Sequence, residues 1–246
     1  MNPIWDMSDA DIDRLVQDID TDGIGIVTGF LSPQDLAPLR TFVEQQVAEN
    51  NGQYLSLTLT AGPKTPFAPI LQSREFLGFM RRLYEKSLGE SPPPQSLYNL
   101  LRCIKGETGA GQAYFFHYDS YYITALLPVI IPQGEQAGHL IIHRRRRPLR
   151  QTYVRNLIDK VCLDNRWRQK KLRNAAESKQ DCFHEILLEP GTLYFFWGYR
   201  TIHGNAPCDP SQLRATALTH FGDPHSSSLL RTFTGKAKTR ATTDKI

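Results

Sequence analysis

Two histidines and one aspartate of this chain have the residue types and the order of a metal site. His117 and Asp119 lie two residues apart in the stretch AYFFHYDSYYITALLPVII, and His203 follows the apolar run TLYFFWG. Side chains at positions i and i+2 of a strand point to the same face, so this imidazole and this carboxylate would converge on one side. Two imidazoles and one carboxylate bind ferrous iron and leave three coordination positions open. We therefore expect His117, Asp119 and His203 to hold Fe(II) that accepts a chelating molecule and O2.

A second polar group follows on the strand LRATALTHF. Arg214 lies eleven residues beyond His203, and Thr216 takes the next position on the same strand face. His220 shares that face by its even spacing. Because no ligand-like pairing is visible around them, five histidines are interpreted as ordinary core or surface residues: His139, His143, His184, His220 and His225.

The first third of the chain favours two helices after a short strand. Ile24–Val27 is an apolar run, and Ser32 followed by Pro33 is typical of a helix start. An apolar stripe with spacings of three and four continues to Asn51-Gly52, where this helix should end. A second stripe predicts a helix over Arg74–Leu88, and the prolines at 92–94 indicate an extended connector.

From Leu97 onward the pattern becomes that of short strands. Runs rich in aromatic, Leu, Ile and Thr residues alternate with turn residues such as Pro190-Gly191. Residues 151–178 interrupt them with helical spacing at Val154, Leu157, Ile158 and Val161. We predict a mainly β fold with α, namely a double-stranded β-helix (a cupin-like jelly roll) with N-terminal helices and one basic helical insert.

The net charge of +4 conceals a strong asymmetry. Between Arg144 and Arg173 there are twelve Lys and Arg residues against Asp159 and Asp164, which gives this segment +10 and the rest of the chain −6. Such a segment fits a solvated or oligomer-stabilising surface, an anionic substrate, a phospholipid contact or a nucleic acid. The aromatic residues in the helical part of the segment are Tyr153 and Trp167, which makes nucleic acid the weaker option. The oligomeric state stays open.

The order HYD, His203 and Arg214 resembles the Fe(II)/2-oxoglutarate-dependent oxygenases, nearest to their phytanoyl-CoA-dioxygenase-like branch. The leading DGIGIVTGFLSPQDL is also similar to the N-terminal strand and helix of that branch, so the resemblance spans roughly residues 22–224. It implies that His117, Asp119 and His203 bind iron and that Arg214 pairs with the distal carboxylate of 2-oxoglutarate, with Thr216 as a further donor. It also implies O2 as the second cosubstrate.

The activity implied by this resemblance is hydroxylation of a C–H bond in a small metabolite or natural-product-like substrate. An anionic or carrier-bound substrate is one option. 2-Oxoglutarate would be decarboxylated to succinate. Desaturation, epoxidation and ring formation remain open, as do a nucleic-acid or protein hydroxylase or demethylase and a non-catalytic cupin-like metal-binding module. A glycine-rich strand found in the branch is replaced here by AGHLIIHRRRRPLR, so contacts to substrate cannot be carried over.

The chain is expected to form one domain over residues 1–246. This comprises an N-terminal part (1–96), a jelly-roll core (97–224) with an insert at about 150–178, and a C-terminal tail (225–246). No apolar run reaches the roughly 18 residues of a membrane span. The first residues lack the apolar region of a secretory signal, and the four cysteines are scattered. These features predict a cytoplasmic protein.

Overall fold

A computed structural model describes residues 6–59, 65–94 and 97–226. The helices are α1 (Asp9–Asp22), α2 (Pro33–Glu49), α3 (Ala68–Leu71), α4 (Arg74–Leu88), α5 (Gly106–Ala110), α6 (Tyr153–Leu163) and α7 (Arg166–Glu177). The strands are β1 (Gly25–Val27), β2 (Leu55–Thr58), β3 (Tyr98–Ile104), β4 (Ile123–Ile130), β5 (Leu140–Arg146), β6 (Phe183–Ile186), β7 (Leu193–Phe196), β8 (Thr201–Asn205) and β9 (Arg214–Phe221). Residues 227–246, most of the predicted tail, lie outside the described residues.

The strands form two antiparallel sheets that pack as a jelly roll. The larger sheet has the order β1-β7-β4-β9-β3-β2, and the smaller sheet has the order β6-β5-β8. Apolar side chains from both sheets pack together between them, including Leu126 and Phe196 from the larger sheet and Ile142 from the smaller one. The predicted mainly β jelly roll with N-terminal helices is confirmed.

Strand alternation divides the larger sheet into a helix-facing side and an inner side. On β9, Ala215 and Ala217 belong to the core shared with α2 and α4. Arg214, Thr216 and Leu218 point instead into a cavity between the two sheets. Because neighbouring strands keep this register, the inner face carries a continuous set of cavity-lining residues.

The prediction of only two leading helices is wrong, because α1 precedes β1. Ser8 and Asp11 form a reciprocal capping box at its start, and Gly23 ends it in a left-handed conformation (φ 83°). Its buried stripe consists of Ile12, Leu15 and Ile19. Since acidic residues separate these three positions, the stripe is too sparse to stand out in the sequence. The helices expected at Pro33 and at Arg74–Leu88 are present.

The basic segment forms two helices, α6 and α7, between β5 and β6. The four consecutive arginines at its start have different surroundings. Arg144 and Arg145 are exposed, Arg146 pairs with Asp20, and Arg147 is buried. The Arg147 guanidinium donates to the carbonyl of Tyr199 and to Asn156 and Asp159. Arg147 therefore anchors α6 to the jelly roll instead of facing a partner.

Candidate metal centre and its cavity

His117, Asp119 and His203 come together at one end of the cavity. Their candidate ligand atoms all lie within 4.8 Å of one another. Asp119 Oδ1 is 3.6 Å from His117 Nε2, and Asp119 Oδ2 is 3.5 Å from His203 Nε2. The three side chains thus form the compact group that the sequence predicted.

The sequence predicted that the HYD stretch lies in a strand. This prediction is wrong, since β4 begins only at Ile123. His117 instead forms an isolated β-bridge with His203 on β8, and Asp119 lies in irregular chain. The backbone N–H of Asp119 donates to the carbonyl of Gly198 at 2.9 Å. Leaving the regular ladder lets the carboxylate turn toward both imidazoles, which a flat strand would not achieve.

Both imidazoles are oriented by their own backbone. His117 Nδ1 lies 3.2 Å from the carbonyl of Phe115, and His203 Nδ1 lies 3.1 Å from the carbonyl of Thr201. A carbonyl only accepts hydrogen bonds, so Nδ1 is the donor in each ring, which leaves each Nε2 as the atom able to bind a metal. This is the tautomer that a metal ligand requires.

The charge states of the group also suit a cation. Burial, with the neighbouring His203, lowers the pKa of His117 to about 3, so its imidazole is neutral at pH 7. Burial by itself would raise the pKa of Asp119, but the facing imidazoles of His203 and His220 hold it well below its usual range. The site therefore presents a neutral imidazole from His117 and a carboxylate from Asp119, and with the imidazole of His203 these are the donor types of a facial triad.

Asp119 is also held by two groups outside the triad. The Thr124 hydroxyl donates to Asp119 Oδ2 at 2.5 Å, and His220 Nδ1 lies 3.1 Å from the same hydroxyl. His220 is buried, stacks on the rings of Tyr98 and Tyr121 and lines the cavity, so its interpretation as an ordinary histidine missed a member of the site. Its even spacing from Arg214 was the signal that pointed here.

Arg214 lies in the same cavity and is 2% exposed. Its Nη2 donates to Asn205 Oδ1 at 3.1 Å, while its Nε has no hydrogen-bond partner. No carboxylate among the described residues forms an ion pair with it. Burial, with the nearby Arg102, lowers the pKa of Arg214 to about 10, so it stays charged at pH 7. A buried guanidinium without a counter-ion is costly, which makes this a site for an anion.

Thr216 and Arg102 lie beside Arg214. They are directly opposite each other on β9 and β3. Thr216 Oγ1 and Arg102 Nε are both buried without a hydrogen-bond partner. Sequence reasoning found Thr216 but missed Arg102, because its place on the inner face depends on the register of β3 against β9.

The cavity has a volume of about 220 Å³ and a mixed lining. Besides the triad, Arg214 and Thr216, it is lined by Tyr54, Leu100, Arg102, Leu126, Leu140, Phe196, Asn205, Leu218 and His220. Three aromatic residues near the triad in the sequence, Tyr114, Tyr122 and Trp197, do not line it. Tyr122 and Trp197 stack on each other at 5.0 Å in the helix-facing core, and Tyr114 lies under Arg173.

Comparison with solved structures shows which proteins share this fold. A Pseudomonas putida prolyl-4-hydroxylase aligns with TM-score 0.56 and 13% identity over 86% of this chain and 98% of that one. HygX from Streptomyces hygroscopicus, solved with nickel and 2-oxoglutarate, aligns with TM-score 0.56 and 13% identity over 85% of this chain and 86% of that one. SnoK, a non-heme alpha-ketoglutarate-dependent carbocyclase from nogalamycin biosynthesis, aligns with TM-score 0.57 and 12% identity over 90% of this chain and 86% of that one.

The chain therefore has the fold of the 2-oxoglutarate-dependent oxygenases. No protein-family model and no curated protein sequence matches it. The phytanoyl-CoA-dioxygenase-like branch stays a prediction, since these neighbours do not single it out.

Proposed function

We propose that this protein is an Fe(II)- and 2-oxoglutarate-dependent dioxygenase that hydroxylates a C–H bond of a small molecule. The observation that carries the proposal is the pairing, within one cavity, of the His117, Asp119 and His203 group with the buried and unpaired Arg214. A metal-binding module without turnover has no need for such an arginine, because it holds no anionic cosubstrate.

In this proposal the three ligands share the work of holding iron. His117 and His203 donate through Nε2, and Asp119 supplies the negative charge. Fe(II) with bound 2-oxoglutarate would supply the oxidation of a C–H bond by O2, with decarboxylation to succinate. The protein orients the ligands through backbone carbonyls and through Thr124. Leu126, Leu140, Leu218 and Phe196 give the cavity an apolar part of its lining.

Arg214 would bind the distal carboxylate of 2-oxoglutarate. Its fork-shaped guanidinium matches a carboxylate, and the free Nε is one of the donors that such a pair uses. Thr216 Oγ1 would give a further hydrogen bond. Arg102 adds a second positive charge to the same cavity and so supports an anionic ligand there.

The choice of a small-molecule substrate is supported by SnoK, a relative in fold named for nogalamycin biosynthesis. A polymer substrate is the second candidate, because another relative in fold is a prolyl-4-hydroxylase.

The first test is anaerobic addition of Fe(II) and 2-oxoglutarate to the purified protein. We expect a weak visible charge-transfer band, followed by succinate formation on exposure to air. A metal-loaded protein that gives neither would contradict the proposal.

Two substitutions separate the roles of metal and cosubstrate. His117→Ala should abolish iron binding, whereas Arg214→Ala should keep iron and weaken 2-oxoglutarate binding by about 100-fold or more, as expected for a lost charged pair. His184→Ala, on β6 and outside the cavity, is the control for folding. Unchanged 2-oxoglutarate affinity in Arg214→Ala would refute the cosubstrate assignment.

A further inference from the structure

Helix α6 exposes most of its apolar side chains, whereas an ordinary surface helix buries them against the core. Val154, Leu157, Ile158 and Val161 follow the spacing of one helical stripe, yet they are 42–63% exposed. The buried residues of the helix are Asn156 and Leu163, and the half-buried Asp159 binds Arg147 and Arg150. The apolar stripe is therefore not used by the fold.

Exposed apolar residues are concentrated around this helix. Among the described residues, nine large apolar side chains are exposed, and six of these lie between residues 149 and 167. They are the four of the stripe, Leu149 and Trp167, which is 81% exposed near the start of α7. Contiguous exposed apolar surface of this kind marks an interaction site.

Basic side chains accompany the apolar stripe. On α6 and α7, six exposed Lys and Arg residues stand against one exposed acid, Glu177. They are Arg155, Arg166, Arg168, Lys170, Lys171 and Arg173. A partner for this surface must combine negative charge with an apolar layer beneath it.

We propose that α6 and the start of α7 dock the protein onto an anionic phospholipid surface. An amphipathic helix with an apolar stripe, flanking Lys and Arg residues and a Trp is the arrangement that lies in a membrane interface. Trp favours that interface because its ring is amphipathic. No described helix is long and apolar enough to cross a membrane, so the contact is peripheral.

A second copy of this chain fits the surface less well. In a twofold dimer built on α6, the same patch would face itself and bring the basic rows of both copies together. Such like charges oppose association. A lipid surface supplies the opposite charge instead.

The same two helices hold the chain segment that carries His117 and Asp119. Gln169 on α7 bonds both the N–H and the carbonyl of Phe116, and Lys160 on α6 donates to Ser120. Docking through α6 would thus engage the same two helices that hold this segment. The docking itself does not depend on the proposed oxygenase activity.

The test is co-sedimentation of the full chain with vesicles of phosphatidylcholine containing one third phosphatidylglycerol. We expect binding that weakens as salt is raised, and little binding to pure phosphatidylcholine vesicles. Ile158→Asp, at a position 55% exposed, should lower the partition coefficient by more than about tenfold, since it removes one apolar side chain from the interface. Leu187→Asp, at a position 53% exposed outside the insert, should leave it unchanged.

A charge variant gives an independent measurement. Lys170→Gln with Lys171→Gln should weaken binding by about 30-fold, because each basic residue near an anionic surface contributes about 1 kcal/mol. Arg74→Gln with Arg81→Gln, two exposed basic positions on α4, is the matched control. All four variants should keep the unfolding midpoint of the wild type.

Three results would overturn the proposal. The first is a wild-type protein that does not bind the mixed vesicles, or an equal loss with Leu187→Asp. The second is a wild-type dimer that Ile158→Asp converts to monomers, which would make α6 a self-association surface. The third is binding of single-stranded DNA through Lys170 and Lys171 without vesicle binding.

Discussion

His117 and His203 exchange both of their backbone hydrogen bonds, at 3.0 Å and 3.2 Å. This isolated bridge fixes the two imidazoles side by side with ring centroids 4.4 Å apart, although the whole basic segment separates them in the chain. Two ligands of the triad are thus positioned by main chain, which no side-chain substitution nearby can easily disturb. Asp119 depends instead on its side-chain surroundings, so it is the ligand most open to test.

Gly198 leaves the space that the Asp119 carboxylate occupies. A Cβ at this position would meet Asp119 Oδ2 and Thr124 Oγ1, both well inside van der Waals distance. We expect Gly198→Ala to displace the carboxylate and lower Fe(II) affinity by about 100-fold, at the upper end of the effects seen when support of a ligand is lost. Gly78→Ala, on α4 with no atom within 4 Å of the added methyl, should bind iron normally in the same titration.

Thr124 orients Asp119 through a hydroxyl that also contacts His220. Thr124→Val keeps the shape but removes the donor, so Co(II) or Fe(II) affinity should fall about 10- to 100-fold. Thr219→Val removes a comparable buried hydroxyl that donates to Asn99 on the helix-facing side. That control should cost about 1 kcal/mol of stability and leave metal affinity unchanged. Equal metal affinities in the two variants would show that Thr124 has no positioning role.

Gly138 plays the corresponding part for Arg214. Its φ is +68°, and an added Cβ would lie 2.6 Å from Arg214 Cδ. Gly138→Ala should therefore displace the Arg214 side chain, weaken 2-oxoglutarate binding by about tenfold or more and leave Fe(II) affinity intact. A loss of about 1.4 kcal/mol in binding free energy already gives a tenfold change. Gly134→Ala carries a similar backbone penalty at φ +94° but meets nothing within 4 Å. If both variants weaken 2-oxoglutarate binding equally, backbone strain and not contact with Arg214 is the cause.

The predictable part of the site follows from strand alternation. Arg214, Thr216 and His220 share a face by even spacing, and that face does line the cavity. The bend that turns Asp119 toward both imidazoles could not be foreseen, because it depends on Gly198, in the turn after β7, and on Thr124 of β4. Arg102 was missed for the same reason, since only the β3–β9 register places it opposite Thr216.

The charge of the basic segment predicted its place in the fold poorly. Twelve basic residues in one segment suggest a single surface, but Arg146 and Arg147 are used inside the fold. Nothing in the run RRRRPLR distinguishes Arg147 from Arg145, because the difference arises from Asn156 and Asp159 on α6. Its hydrogen-bond partners therefore set the role of Arg147, and the run itself does not show them.

Arg147 should accordingly be the one arginine of the run that is required for stability. Besides its hydrogen bonds, its guanidinium lies 3.9 Å from the ring of Tyr118, which separates His117 from Asp119. Arg147→Met leaves Asn156 and the carbonyl of Tyr199 without their guanidinium donor and leaves Asp159 with Arg150 alone, so it should cost about 3–5 kcal/mol in urea unfolding. Arg145→Met, at an exposed position, should stay within about 0.5 kcal/mol of the wild type. A neutral effect of Arg147→Met would contradict the anchoring role.

His225 gives a pH dependence of stability away from the metal centre. It is 6% exposed, its Nε2 lies 2.8 Å from the Tyr199 hydroxyl, and burial together with Arg147 lowers its pKa. As pH falls below about 6.5, the unfolded chain takes up the proton first, so the free energy of unfolding decreases. His225→Gln should make this decrease shallower by at most about 1.4 kcal/mol per pH unit, measured by urea unfolding of metal-free protein at several pH values. His184→Gln, on partly exposed β6, should follow the wild type; equal slopes for both variants would mean that His225 titrates alike in the folded and unfolded chain.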